Sequence, residues 1–265
     1  MAKRAARPVS VKSGRRSIQD KSRRARLDGA PDLAPTTNLL LANLPQAEIE
    51  AFSARAEKVR CATRDVMFDT GDPITTIYFP VSAMISLLTV LTDGTTIEAM
   101  TIGYEGMAGL PLFHGVKTAQ SKGICQIEGE VYRIAADKFL DLVQQAPALT
   151  KMLHRYSQFM QDSMAQSAAC NGVHLLEQRC ARWLLVSSDA VSDGHFSLTQ
   201  EFFAQMLAVR RAGITTTMGA LERKNLIATR YGSITIVDRV GLEKLSCECY
   251  KTLSDRRRHL LNDSD

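Results

Sequence analysis

The sequence predicts an α+β fold made of an antiparallel β-roll, a long helix, and two short helices followed by a β-hairpin. Six short β-prone segments separated by turn residues occupy residues 66–134. An apolar pattern with helical spacing runs from Ala148 to Cys170, and two shorter helical patterns precede a hairpin pattern between residues 199 and 237. Strand-rich and helix-rich segments that are separate along the chain are typical of α+β proteins.

Length and composition favour two folded domains. The chain has 265 residues and 45% of them are apolar, so it exceeds a typical single domain and can bury hydrophobic cores. From the patterns below we divide it into a disordered basic arm (1–35), a β-roll sensor domain (36–147), a dimerisation helix (148–171), a winged helix-turn-helix domain (172–253) and a tail (254–265).

The first 30 residues are strongly basic. They hold ten cations against Asp20 and Asp28, a local charge of +8, which leaves the rest of the chain at −3 within the net charge of +5. Few large apolar side chains occur there, so burial cannot offset the entropy of ordering and we expect disorder. Two interpretations stay open: an arm that adds sequence-independent attraction to nucleic acid, or a solubilising tail or misassigned start.

The β-roll is predicted from the segments that follow a first helical pattern. Leu39 to Ala56 has helical spacing, with Pro45 near the start of a helix. Asp93-Gly94 between apolar segments is a strong hairpin signal. Short strands at this spacing indicate a small antiparallel barrel or roll. The predicted strands are Val66–Phe68, Thr76–Phe79, Ile85–Leu91, Thr95–Ile102, Ile124–Ile127 and Val131–Ile134.

The long helix from Ala148 to Cys170 carries an apolar stripe that is wider than contact with one neighbouring element requires. Such a helix can cover the β-roll on one side and meet a second copy of the chain on the other. A helix buried only within one chain is the alternative. The residues assigned to dimerisation are Leu149, Met152, Tyr156, Phe159, Met160 and Met164. Asn171-Gly172 ends the helix, and Leu175 to Ser187 predicts the next one.

Residues 199–227 predict a helix-turn-helix unit. Thr199 can cap a helix that runs from about Gln200 to Ala208, and Ile214, Met218 and Leu221 mark the buried face of a second helix that ends near Lys224. The opposite face carries small, hydroxylated and basic residues, which suit a helix that enters a DNA groove and binds phosphates and base edges. A helical hairpin with a solvated face is the alternative.

A β-hairpin after the second helix favours DNA binding over that alternative. Leu226 to Arg230 and Ser233 to Val237 are β-prone and are separated by Tyr231 and Gly232, which together predict the wing of a winged helix. The candidate DNA-binding residues are Thr199, Gln200, Arg210, Arg211, Ala212, Thr215, Thr216, Arg223, Arg230 and Tyr231.

From about residue 36 to 253 the chain resembles the Crp/Fnr superfamily of bacterial transcription regulators. The resemblance is most specific at the segments LTQEFFAQMLAVRR, from Leu198, and LERKNLI, from Leu221. It implies a cyclic-nucleotide-binding-like β-roll, a homodimer on a palindromic site in double-stranded DNA, and RNA polymerase as a partner. It also implies that helix 211–224 lies in the major groove with Arg211 at its base-reading start. The family commonly has an acidic residue after that arginine, where this chain has Ala212.

The effector of the β-roll is not determined by these motifs. Family members that bind cyclic nucleotides use a glutamate for the ribose and an arginine for the phosphate, and Gly103 to Gly109 resembles the first part of that cassette. No arginine occurs between Tyr104 and Tyr132, which argues against cyclic AMP or cyclic GMP. Lys117 and Lys122 are candidates to bind an anion other than a cyclic nucleotide. The candidate effector-binding residues are Gly103, Glu105, Gly106, Lys117, Gln120 and Ser121.

The chain shows no iron–sulfur or haem signature. Its six cysteines are scattered without a C-x-x-C pair, and His114 is a single histidine in the β-roll. We therefore expect no metal site, and we interpret the close pair Cys247 and Cys249 as free thiols, with a redox role as the alternative. Reduced thiols and the lack of a signal peptide or apolar span predict a cytoplasmic protein without membrane contact.

Two other functions compete with transcription regulation. A cupin-like metal enzyme would need clustered histidine and carboxylate ligands, whereas the five histidines are dispersed and no catalytic residues are indicated. A cyclic-nucleotide-responsive adaptor that does not bind DNA would use the winged helix for protein contacts. Arg210, Arg211 and the basic arm favour the regulator.

Overall fold

The computed structural model describes residues 38–190 and 195–261. The predicted basic arm (1–35) and residues 262–265 of the predicted tail lie outside these ranges. The β-roll begins with two short helices, α1 (Leu39–Ala42) and α2 (Gln46–Ser53). Asn38 caps α1, because its Oδ1 accepts a hydrogen bond from the amide of Leu40 at 3.1 Å.

The β-roll contains seven strands in two antiparallel sheets. One sheet has the order β1-β7-β3 and the other β2-β6-β4-β5. The strands are β1 (Glu57–Cys61), β2 (Val66–Phe68), β3 (Thr76–Pro80), β4 (Met84–Val90), β5 (Thr96–Ile102), β6 (Lys122–Ile127) and β7 (Gly129–Ala135). The six predicted strands are confirmed within two residues at each end. Strand β1 was missed, since its charged sequence EKVRC lacks a clear alternation.

Two glycines are required by the backbone of the roll. Gly94 has φ 85° in the loop between β4 and β5, where the amide of Leu91 donates to the carbonyl of Thr95 at 2.8 Å, so the predicted hairpin is confirmed. Gly129 starts β7 so close to a neighbouring segment that a Cβ there would lie 2.5 Å from the backbone nitrogen of Ala83. Any side chain at position 129 would therefore displace the chain.

Two helices close the β-roll. Helix α3 (Ala136–Gln145) was not predicted, and α4 (Pro147–Val173) extends the predicted long helix by a residue at its start and three at its end. The side chains of Phe79, Phe139 and Tyr156 are fully buried in one core beneath these helices. This shared core fixes α3 and α4 against the β-roll.

The second domain is a winged helix. Its sheet has the order β8-β10-β9, with antiparallel pairs. Its elements are α5 (Leu176–Asp189), β8 (His195–Ser197), α6 (Gln200–Met206), α7 (Arg211–Arg223), β9 (Ile227–Arg230), β10 (Ser233–Ile236) and α8 (Arg239–Leu245).

The predicted tail is helical as far as the structure describes it. Helix α9 (Cys249–Leu261) packs along α4, and Leu260 is 4% exposed within the core of the β-roll. Arg256 Nη1 donates to the carbonyl of Asp162 at 2.6 Å. The sequence left residues 254–265 as a tail, but α9 places Arg256 against α4 and buries Leu260.

The two domains share a hydrophobic core. Met84 and Leu88 of β4 belong to the same cluster as Trp183 and Phe203 of the winged helix. At its edge, Trp183 Nε1 donates to Glu98 Oε1 at 2.8 Å. The winged helix is therefore docked on the outer face of the four-stranded sheet.

Candidate nucleic-acid interface

The helix-turn-helix begins at a capped helix, as predicted. The side chain of Thr199 accepts a hydrogen bond from the amide of Phe202 at 3.2 Å, and Glu201 places a carboxylate in the first turn of α6. Phe202, Phe203 and Met206 are buried. The apolar face of α6 thus fixes this helix on the domain core.

The turn between α6 and α7 uses a left-handed residue that is not glycine. Ala208 has φ 52°, and the amide of Val209 donates to the carbonyl of Ala204 at 3.0 Å. An L-residue in this conformation is strained by contact between its Cβ and the backbone. The strained turn sets the direction in which α7 leaves.

A buried arginine that the sequence analysis missed supports this turn. Arg179 of α5 is 9% exposed, and its Nη2 donates to the carbonyl of Leu207 at 2.6 Å. Burial lowers the pKa of its guanidinium, which still offers donors to the orphan carbonyls at the end of α6. An arginine that leads into an apolar helical segment, here RCARWLL from Arg179, is the sequence signal for such a role.

The outer face of α7 is exposed as the helical wheel predicted. Ile214, Met218 and Leu221 are buried, whereas the candidate residues Arg210, Arg211, Ala212, Thr215, Thr216 and Arg223 are exposed and Gly219 is half-buried. Small residues at the middle of this face leave room for close approach to a groove.

One candidate from α6, Gln200, lies beside the start of α7. The hydroxyl of Thr215 donates to Gln200 Oε1 at 2.6 Å, which places both side chains together. Arg211 Nε lies 3.8 Å from Glu201 Oε2, and the two side chains are 68% and 76% exposed. A pair this exposed contributes little to stability, so it leaves the guanidinium available to a ligand.

The tip of the wing is fully exposed to solvent. Tyr231 (φ 50°, 101% exposed) and Gly232 (φ 79°) form a two-residue turn between β9 and β10, with both residues in the left-handed region. Arg230 is exposed next to this turn. Arg210, Arg223 and Arg230 form no ion pair with any described residue, so three cations beside the α7 face are available to phosphate.

The candidate effector residues do not form one site. Gly103, Glu105 and Gly106 lie beneath α4 and α9, where the Gly103 amide donates to Glu105 Oε1 at 2.8 Å and burial raises the pKa of the Glu105 carboxyl. Lys117 and Gln120 are exposed and Ser121 is half-buried. The segment around Lys117 pairs instead with residues 71–74.

Side chains of the protein fill the space at Gly106. Tyr156 donates from its hydroxyl to the carbonyl of Met107 at 3.1 Å, and Asn38 Nδ2 donates to the carbonyl of Gly106 at 2.9 Å. A Cβ at Gly106 would lie 2.2 Å from the Tyr156 hydroxyl oxygen. The adjoining cavity, which Glu105, Asp189 and Arg257 line, measures about 70 Å³. That is far below the roughly 300–1,000 Å³ of a small-molecule site.

The β-roll core of the same protomer buries most of the apolar stripe that the sequence assigned to dimerisation. Leu149, Met152, Tyr156 and Met160 are at most 8% exposed in the β-roll core, Phe159 is half-buried, and Met164 is 37% exposed. The first four cannot contact a partner while the β-roll is folded. The apolar stripe was assigned to the dimer because the sequence does not distinguish a core face from an interface face.

Another face of α4 is exposed along its length. Six exposed residues recur at alternating steps of four and three, which is the spacing of a coiled-coil seam. They are His154, Gln158, Gln161, Ala165, Ala168 and Gly172. The small residues in its second half permit close approach of a second helix.

The structure also brings together four side chains that the sequence analysis left apart. Cys170, His174, Cys247 and Cys249 place one sulfur or nitrogen atom each within 4.8 Å of all the others. Cys170 and His174 are four residues apart at the end of α4, Cys247 lies between α8 and α9, and Cys249 begins α9. The i, i+4 spacing and the C-x-C pair were visible in the sequence, but their approach across 77 residues was not.

Comparisons with known proteins agree with this architecture. Residues 178–245 match the family model of the Crp-like helix-turn-helix domain. A comparison with curated proteins gives no match. No helix in the described ranges has the length and apolarity needed to span a membrane.

Solved structures share the fold over 72–78% of this chain. A protein from Eubacterium rectale assigned to the Crp/Fnr family of transcriptional regulators superposes with a TM-score of 0.60 at 16% identity, covering 78% of this chain and 96% of that one. FixK2 from Bradyrhizobium japonicum gives 0.59 at 12% identity, covering 72% and 98%. The c-di-GMP-responsive global regulator CLP of Xanthomonas campestris gives 0.55 at 17% identity, covering 72% and 99%. The predicted resemblance and fold class are confirmed.

Proposed function

We propose that this chain, which has a Crp/Fnr-type fold and a Crp-like helix-turn-helix domain, is a transcription regulator that binds a palindromic DNA site as a homodimer. The observation that carries the proposal is the exposed face of α7, with Arg211 at its amino end and small and hydroxylated residues behind it. The amino end of such a helix reaches base edges, where arginine pairs with guanine. Arg230 and Tyr231 of the wing lie where they can contact the phosphate backbone.

The dimer is proposed to form along α4. Its exposed seam, the six residues from His154 to Gly172 named above, is available in the folded protomer, whereas the apolar stripe is largely occupied by the core. Two winged helices related by a two-fold axis present two copies of α7 to symmetric half-sites. RNA polymerase is the partner through which such a dimer would change transcription.

What two of the structurally similar proteins are supports the regulator class. CLP is named as a c-di-GMP-responsive regulator, and the Eubacterium rectale protein is assigned to a family of transcriptional regulators. For this chain we propose that neither cyclic AMP nor cyclic GMP binds at Gly103–Gly106, because Tyr156 and Asn38 fill the space there and the phosphate would meet no arginine between residues 104 and 132. Calorimetric titration checks this, and micromolar binding of either nucleotide would overturn it.

The competing functions receive less support. A cupin-like enzyme needs metal ligands inside the roll, whereas the group of potential ligands found in the described residues lies at the end of α4. An adaptor that binds only proteins would not need exposed arginines on both α7 and the wing. It would also show no affinity for duplex DNA at low salt.

The test is a gel-shift series on DNA from upstream of the protein's own gene. Arg211→Ala removes a base contact and should weaken specific binding by about 1 to 3 kcal/mol and relax the preference at one base pair per half-site. Arg230→Ala removes a phosphate contact, so it should weaken binding to all sequences alike and reduce the salt slope by about one.

Arg60→Ala is the matched control. Arg60 is an exposed arginine on the β-roll, 3.4 Å from Glu128, so its loss changes the net charge equally without touching α7 or the wing. We expect affinity within about twofold of the wild type. If Arg211→Ala and Arg230→Ala both behave like this control, the assignment of α7 and the wing to DNA is wrong.

A further inference from the structure

We propose that Cys170, His174, Cys247 and Cys249 bind one structural zinc ion. The four side chains come from the end of α4, the link between α8 and α9, and the first residue of α9, and their ligand atoms all lie within 4.8 Å of one another. Three sulfurs and one imidazole nitrogen form one of the usual ligand sets of structural zinc sites. This inference does not depend on DNA binding.

The separations of the ligand atoms fit a single tetrahedral ion. With Zn–S bonds of about 2.3 Å, a tetrahedron places its sulfurs about 3.8 Å apart. Cys170 Sγ lies 3.5 Å from Cys247 Sγ, and Cys249 Sγ lies 3.6 Å from His174 Nδ1. Both distances are close to tetrahedral edges, and ligand atoms as far apart as 4.8 Å would have to approach by about 1 Å to bind the same ion. A cluster of several iron atoms would need its sulfurs much further apart.

The groups around the four residues are arranged as zinc sites require. His174 turns Nδ1 towards the sulfurs, and its Nε2 lies 3.1 Å from Glu248 Oε2, the carboxylate–histidine arrangement that orients metal-bound imidazoles. Gln166 Nε2 donates to Cys249 Sγ at 3.0 Å, a hydrogen bond that favours a thiolate. Each of these contacts helps to fix one ligand.

Two buried arginines balance the negative charge of the proposed site. Three thiolates and a neutral imidazole on Zn²⁺ carry one net negative charge. Arg179 and Arg182 of α5 are 9% and 8% exposed, and neither Nε atom has a hydrogen-bond partner among the described residues. Positive charge beside a cysteine favours its thiolate form. The thiolate is the form that binds zinc.

The role of the ion would be structural. Four protein ligands fill a tetrahedral shell and leave no open position for substrate, and the three cysteines are at most 3% exposed. The site joins the carboxyl end of α4 to the start of α9, so zinc would lock the winged helix and α9 to the proposed dimer helix.

The experiment measures metal in the full-length protein purified without chelator from medium supplemented with zinc. We expect about one zinc per chain by mass spectrometry of the metal. Replacement by Co²⁺ should give the strong visible bands of tetrahedral thiolate coordination. Cys247→Ser should lose most of the metal and these bands, whereas Cys180→Ser, which changes a buried cysteine of α5 outside the group, should keep both.

Each contrary result rejects the proposal. Wild-type protein that binds neither zinc nor Co²⁺ has no such site, and this measurement stands even if Cys247→Ser fails to fold. A Cys170–Cys247 disulfide, detected by mass spectrometry in protein that was never reduced, would assign the pair to redox chemistry. Metal that survives in Cys247→Ser at wild-type stoichiometry would place the ion elsewhere.

Discussion

Ala208 concentrates backbone strain at the turn that orients α7. Its φ of 52° is left-handed, a region in which glycine is not strained by a Cβ. Ala208→Gly should therefore raise the free energy of unfolding by about 0.5 to 1 kcal/mol, since relief of strain exceeds the greater entropy that glycine loses on folding. Urea denaturation measures this.

Ala212→Gly is the contrasting change for that measurement. Ala212 is exposed in the first turn of α7, where glycine has the lower helix propensity, so the same substitution should destabilise by up to about 1 kcal/mol. Equal effects at the two positions would show that the turn at Ala208 is not strained.

Single residues differ in how well the sequence predicted their roles. Thr199 as a cap and Tyr231-Gly232 as a turn were predictable because local chemistry decides both. The surroundings of Glu105 were not, since Arg257 and Asp189, whose charges act on it, come from helices far along the chain. The group of Cys170, His174, Cys247 and Cys249 was missed for the same reason, because its two halves are far apart in the sequence.

At the scale of elements, α9 contributes to the stability of the domain at the opposite end of the chain. Leu260 is 4% exposed in the core of the β-roll, so Leu260→Ala should lower the free energy of unfolding by about 2 to 5 kcal/mol. His259→Ala changes an exposed neighbour and should have an effect below about 0.5 kcal/mol. Urea midpoints compare the two, and an equal, small effect would mean that α9 is not docked.

Helix α4 provides the test of the dimer. Ala165 lies in the middle of the exposed seam, where a long cation would meet the partner helix, so Ala165→Arg should raise the dimer dissociation constant at least tenfold. Ala54→Arg makes the same change on the exposed end of α2 and should leave it unchanged. Sedimentation equilibrium measures both, and a variant Ala165→Arg that remains fully dimeric would exclude this seam.

Elements were predicted best where periodicity was strong. Six strands and the helices α5, α6 and α7 follow the sequence pattern, whereas β1, α3 and α8 were not predicted. Strand β1 lacks a clear alternation, but α3 was missed although Phe139 and Leu142 mark one buried face. The stripe on α4 correctly indicated an apolar face, but the partner of that face is set by tertiary packing. The β-roll core covers it in this chain.

At the scale of the whole molecule, Glu98 places a carboxyl group between the two domains. It accepts hydrogen bonds from Ser86 at 2.7 Å and from Trp183 at 2.8 Å, yet burial raises its pKa above the usual 4.5. The folded state therefore holds a proton more tightly than the unfolded state. This contribution to stability is present below about pH 4.5 and is lost as the pH rises through the raised value.

Glu98→Gln removes this titration and keeps an acceptor for Trp183. Between pH 5 and pH 8 the wild type should lose stability relative to the variant, with a slope of at most about 1.4 kcal/mol per pH unit. Glu105, whose pKa burial also raises, stays in both proteins and cancels in the comparison. Urea midpoints across this range test the expectation, and parallel profiles would contradict it.

The chain contains one tryptophan, and it lies where the winged helix meets the β-roll, 3% exposed and bonded to Glu98. Its fluorescence is therefore a built-in reporter of the contact between the domains. Any compound or oligonucleotide that separates them would hydrate the indole and shift its emission to longer wavelength. Compounds and oligonucleotides that act on this protein can thus be screened by its own fluorescence, without attaching a dye.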